Sequence, residues 1–187
     1  MDDIEIISCI DVDEWDRWLA EHGETRPSVW LKIAKKGSGV VAMGAQEAGE
    51  VAICHGWIDG QRRSLDASHF LQRFSPRRPG SPWSLVNVRR VEALEAAGRM
   101  RPSGRAQVAA AKADGRWEAA YAPQRTAAVP EELTAALATN DRARAAFDSL
   151  SKSDRYGLFL PLLKARTPQA RAKALRRALA TLEAANT

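Results

Sequence analysis

Every stretch of this chain that alternates like a β-strand lies before residue 77, and nothing after residue 100 does. A chain patterned this way can build only a small sheet, and only from its first half, so the remainder must pack helix on helix. Ser28 to Ala34 sets Val29, Leu31 and Ile33 on one face and Trp30 on the other. Trp57 to Ser64 and Ser68 to Ser75 read as two strands joined by a short Asp-containing turn, which predicts an antiparallel pair. Helices flank them. Asp13 is the expected cap of a short helix carrying Trp15, Trp18 and Leu19 and closed by Gly23. Gln46 to His55 is a second, stopped by Gly56. Ser81 as N-cap with Pro82 at the first helical position predicts a third, presenting Trp83, Val86, Val91 and Leu94 and ending at Gly98.

Beyond Met100 the pattern is helical. Ser103 to Lys112 is Ala-rich, and a connector with Trp117 and Tyr121 follows. Pro130 opens a helix to Thr139, and Asn140 caps the next, to Leu150. Ser151 with Asp154 reads as a capping pair ahead of Leu158, Phe159, Leu162 and Leu163, with Pro161 as the site of a kink. Thr167-Pro168 starts the last helix, which carries Leu175, Leu179 and Leu182. The expected fold class is α+β: a small antiparallel sheet packed with helices in the N-terminal half, and an all-helical C-terminal half. The expected division is 1–99 and 100–187, the two packed as one body.

Composition narrows the function. Hydrophobic residues make up 45% and charged residues 27%, a globular balance. No apolar run reaches the roughly 18 residues of a membrane span. The acidic start, MDDIEIISCI, lacks the basic n-region of a signal peptide. Two cysteines, Cys9 and Cys54, are too few for a disulfide framework and fit reduced thiols in the cytoplasm. Residues 61 to 105 hold ten Arg against Asp66, Glu92 and Glu95. Such an excess attracts anions. Nucleic acid is a poor match, because the basic residues at 166, 171, 173, 176 and 177 scatter around their helix with no aromatics between them.

Polar and aromatic residues concentrate between Gly56 and Asn87. On a strand, Trp57, Asp59 and Gln61 share one face. With Arg73 or Arg77 on the neighbouring strand they make a candidate pocket, with Arg as anion fork and Trp57 as stacking wall. Arg77 and Arg78 arrive just before the expected helix start at Ser81, where free N–H groups favour an anion. Trp83, Ser84 and Asn87 complete the candidate ligand-binding set. Asp59, with His55 beside it as general base, is the best catalytic guess. The chain has no CxxC, HExxH, GxSxG, P-loop or GxGxxG, so neither a metal nor a cofactor is expected. Two readings stand: a binding protein for an anionic small molecule or an acidic protein segment, or an enzyme using Asp59. No pattern sets an oligomeric state.

The combination of Trp15-x-x-Trp18-Leu19 with His22, VWL at 29–31 followed by Lys35-Lys36, GWIDGQ at 56–61, RFSPRR at 73–78, SPWSLVN at 81–87, GRM at 98–100 and DGRW at 114–117 with Tyr121 resembles the YdeI/OmpD-associated family. Some of its members are described as bacteriocin-protection proteins. The resemblance spans roughly residues 12–183. It implies a small bacterial cytoplasmic protein with a C-terminal helical module and carries no catalytic mechanism with it. The chain departs from the family at VVAMG, residues 40–44, at Gly49, and in the tail 165–175.

Overall fold

A computed structural model describes residues 4–40 and 42–184. It divides the chain into two compact units: residues 1–81 with 87–118, and 82–86 with 119–187. The helix after Met100 therefore groups with the first unit, which extends past residue 99.

The first unit is built on a mixed four-stranded sheet. In chain order its elements are β1 (Ile6–Ser8), α1 (Val12–His22), β2 (Val29–Ala34), α2 (Ala45–Cys54), β3 (Trp57–Ser64), β4 (His69–Pro76), α3 (Leu85–Ala96, whose first two residues group with the second unit) and α4 (Pro102–Ala113). The strand order is β1-β2-β4-β3. β3 and β4 pair antiparallel, as their spacing predicts, and β2 pairs antiparallel with β4. The expectation of a purely antiparallel sheet is corrected by β1, which joins β2 in parallel, with Ile6 opposite Trp30. Three residues, none of them fully buried, carry too little pattern to be read as a strand.

One face of this sheet is dry. Val29, Leu31, Ile33, Phe70 and Phe74 pack with Trp15 and Leu19 of α1 and Ala48, Val51 and Ala52 of α2. Trp57 joins this core at 1% exposure. Trp18 stacks on Trp15 with ring centroids 5.4 Å apart and meets Trp57 edge-on at 6.1 Å. Aromatic pairs at such distances add to the burial term. Two of the buried indole N–H groups reach backbone carbonyls: Trp15 donates to that of Ala48 and Trp57 to that of Gly23. The loop between β3 and β4 is held by Asp66, whose carboxylate accepts from the Ser68 and His69 amides at 2.7 Å each. This Asx-type turn is why a short Asp-containing segment closes the hairpin.

The second unit holds α5 (Glu131–Ala138), α6 (Asp141–Ser149), α7 (Lys152–Lys164) and α8 (Pro168–Ala184). Its core collects Leu133, Leu137, Phe147, Phe159, Leu162, Ala178 and Leu182. The caps are local and follow the sequence. Asn140 accepts from the Ala143 amide and Ser151 from that of Asp154. Pro161 lies inside α7, which continues to Lys164. No named strand occurs beyond residue 76 among the described residues; Tyr121 makes only an isolated bridge with Ser84.

Candidate functional site

The row Trp57, Asp59, Gln61 does not form. The register slips between Asp59 and Arg62, a β-bulge that breaks the period-two alternation. Gln72, 3% exposed, lies across the bulge and donates to the carbonyls of Gly60 and Gln61 at 3.0 and 3.1 Å. Trp57 is core, while Asp59 and Gln61 are exposed. Asp59 sits opposite Phe74, so the two side chains share a face; Arg73, next to Phe74, points to the other. Arg73 donates instead to Ser28 Oγ at 3.2 Å. The pocket of Asp59 with Arg73 is thereby corrected: antiparallel register puts the acid and the base on opposite sides of the sheet.

The helix start is also displaced. Ser81 to Ser84 is not helical, and α3 begins at Leu85. Ser84 bridges to Tyr121, and the Leu85 amide donates to the Tyr121 carbonyl at 2.9 Å. That pairing, 37 residues away in sequence, holds the segment extended and uses a donor the expected anion site needed. The Ser81 carbonyl accepts from Arg116, a buried guanidinium held on Asp114 at 2.7 Å. Arg77 is 4% exposed, its amide donating to the Gly56 carbonyl, whereas Arg78 is exposed. Trp83 is buried at 2%; Asn87 is buried and accepts from Arg90 at 3.3 Å.

His55 finds a carboxylate, but it is Asp16 and not Asp59. Its Nε2 lies 2.8 Å from Asp16 Oδ1, and Arg101 Nη2 lies 2.5 Å from Oδ2. Burial opposes ionisation of Asp16, yet the hydrogen bonds from Arg101 and His55 outweigh it and hold the carboxyl below its usual range. The same contact raises the Arg101 pKa. This cluster ties α1 to the end of α2 and the start of α4. Close packing reinforces it: the Arg101 amide donates to the Cys54 carbonyl at 3.1 Å, and Gly104 lies so near α2 that an added Cβ would sit 2.1 Å from that oxygen. Two open clefts flank it, about 250 and 350 Å³, each lined by acids as well as arginines. Such mixed lining gives no net preference for an anion. Sequence reasoning missed Asp16 because its partners lie 39 and 85 residues away.

The larger concavity is in the second unit. A groove of about 580 Å³ runs between α7 and α8, lined by Leu150, Gly157, Leu158, Pro161, Ala174 and Ala178 among others. A second, of about 370 Å³, shares Pro161, Ala174 and Arg177 with it and adds Lys164 and Lys173. Together they make one open furrow with small residues on its floor. Three cations, Lys164, Lys173 and Arg177, stand against one carboxylate, Asp154, which already accepts from Ser151. Lys164 also lies 5.0 Å from the Tyr121 ring, and burial lowers its pKa. Pro161 brings no amide to the Gly157 carbonyl, so the furrow crosses a point where α7 lacks a rung. The six basic residues between 164 and 177 are plain in the sequence; that three of them line one furrow is not.

An α+β unit is followed by a helical unit with a basic, open furrow. The chain belongs to the family described as a domain of unknown function (DUF8412), whose model matches residues 7–107, just over half of it. Residues 126–185 match a second family model, described as bacteriocin-protection, YdeI or OmpD-associated. The family suggested by the sequence resemblance is thus found, over the C-terminal unit alone. That match links the chain to bacteriocin protection at the level of the family. No curated protein and no solved structure shows a significant match.

Proposed function

We propose that this chain is a non-catalytic binding protein of a bacteriocin-protection system, acting in the cytoplasm, and that its C-terminal unit holds an acidic, helical partner segment in the furrow between α7 and α8. The observation that supports this reading is the joined groove itself: two contiguous spaces sharing Pro161, Ala174 and Arg177, small on the floor and basic at the rim. A floor of Gly157, Ala174 and Ala178 lets a second backbone approach closely. An open furrow suits a helix laid along it better than an enclosed small molecule. Lys173 and Arg177, one turn apart, select carboxylates spaced by one turn on that helix. The groove lies in the part of the chain that matches the bacteriocin-protection model.

The test pairs binding with protection. A labelled helical peptide with a Glu-x-x-x-Glu face is titrated into the full chain, beside a Lys-x-x-x-Lys counterpart. Lys173→Glu/Arg177→Glu changes only exposed rim residues and leaves the core of the unit untouched. Binding of the acidic peptide should fall by about tenfold, and a bacterium carrying this variant should lose bacteriocin protection. Equal binding of both peptides, or full protection by the variant, would overturn the reading.

A further inference from the structure

The first unit has an open sheet edge apart from the α7/α8 furrow. β3 is the outer strand of its sheet, and residues 59–64 are all exposed. Its backbone pairs with β4 on one side; on the other, no described strand pairs with it. Such an edge is a template for one more strand.

Its side chains say which strand. Arg62 and Arg63 are neighbours, so they project to opposite faces. Each is pre-set by an aromatic ring. The Arg62 guanidinium lies 4.2 Å from the Phe70 ring centre, and its Nε donates to Gln72 at 2.9 Å. That of Arg63 lies 4.5 Å from the ring of Trp30. Stacking holds a guanidinium flat while leaving its edge donors pointing outward. No described carboxylate pairs with either one. By contrast Arg101, Arg99 and Arg116 are taken by Asp16, Glu50 and Asp114. The bulge at residues 60–61, braced by Gln72, fixes where along the edge the two arginines fall.

We infer that β3 is a docking edge for an extended acidic segment of a partner protein, which adds as a further strand and places adjacent carboxylates on Arg62 and Arg63. Adjacent acids are required because the two arginines face opposite sides of the sheet; acids two apart meet only one of them. A second copy of this chain is a poor occupant, since edge-to-edge pairing brings the same arginines toward each other. This surface shares no residue with the α7/α8 furrow, so the two proposals fail independently.

The experiment uses the full chain and three ten-residue probes of strand-forming sequence. One carries a central Asp-Glu pair, one a Lys-Lys pair, and one the Asp-Glu pair flanked by prolines that remove its backbone donors. Fluorescence anisotropy should show binding of the first alone, weakening with salt. Arg62→Glu/Arg63→Glu should lose about tenfold for the acidic probe and gain affinity for the Lys-Lys probe. That reversal requires a folded protein, so it separates recognition from unfolding. Amide exchange at residues 59–64 should slow when the acidic probe binds. Equal binding of the proline-flanked probe, unchanged exchange on the edge, or absence of the charge reversal would overturn the assignment. So would a solution dimer that Arg62→Glu/Arg63→Glu strengthens or abolishes.

Discussion

Gly104→Ala tests the junction on which the first unit turns. Gly104 is in the first turn of α4, where its missing side chain lets the helix start lie against the end of α2. A Cβ there would come 2.1 Å from the Cys54 oxygen, 2.8 Å from its carbon and 2.9 Å from the Ile53 oxygen, all backbone atoms. Ordinary contact begins at 3.4 Å, so the helix start must retreat by more than an ångström. The hydrogen bond from the Arg101 amide to the Cys54 carbonyl, now 3.1 Å, does not survive that movement. Overpacking costs about 1–3 kcal/mol, and the lost hydrogen bond about 1 kcal/mol more. Against this, alanine is favoured over glycine in a helix by about 1 kcal/mol. The net is a loss of roughly 1–3 kcal/mol. With a urea slope of about 1–3 kcal/mol per molar, the midpoint should fall by about 1 M. Tryptophan fluorescence follows it well, because five of the six tryptophans lie in the first unit. Gly157→Ala is the control. It is the same change in α7 with nothing within 4 Å, and should stabilise by about 0.5–1 kcal/mol. If Gly104→Ala unfolds at the wild-type urea concentration or above, the close approach of α4 to α2 is not a constraint and the reasoning fails.

Two further outcomes follow from the charge states. The carboxyl of Asp16 has a lowered pKa in the folded chain, so its contribution is complete above the ordinary value of 3.8 and is lost as pH falls below that through the folded value. Asp16→Asn should therefore lower the urea midpoint at pH 7 and narrow its gap from wild type toward pH 3; a gap of constant size contradicts the linkage. Burial, helped by Glu14 and Asp11, pushes the Cys9 thiol up to about 11, and burial raises that of Cys54. At pH 8 both should react with a disulfide reagent far more slowly in the folded chain than in urea, and equal rates would show that one is accessible.

What could be read in advance was what has a local cause. The Asn140 and Ser151 caps, the Pro168 helix start and the β3–β4 hairpin depend on residues within a few positions of one another, and all appear where the sequence predicts them. The errors have distant causes. The Ser81-Pro82 signal is a sound N-terminal signature, but Tyr121 captures the strand-like segment first. Alternation along β3 predicts one face for Trp57, Asp59 and Gln61 until the bulge intervenes. β1 is too short to carry a period at all.

The same division governs which of the arginines stay without a carboxylate. Ten arginines between 61 and 105 imply an anion-seeking surface, yet which of them can seek one depends on which carboxylates the fold delivers to the others. Arg101 meets Asp16 from 85 positions away, and Arg99 meets Glu50 from 49. Arg73 goes to the serine at 28. Arg62 and Arg63 are left on an edge strand, each laid on an aromatic ring and neither neutralised. In the second unit, likewise, six basic residues scatter along the sequence, but only the packing of α7 against α8 gathers Lys164, Lys173 and Arg177 on one furrow. The charge offered at the surface is what remains after the fold has used its own partners. Each residue type is therefore visible in the sequence, while the surface it forms is defined by pairings tens of residues apart.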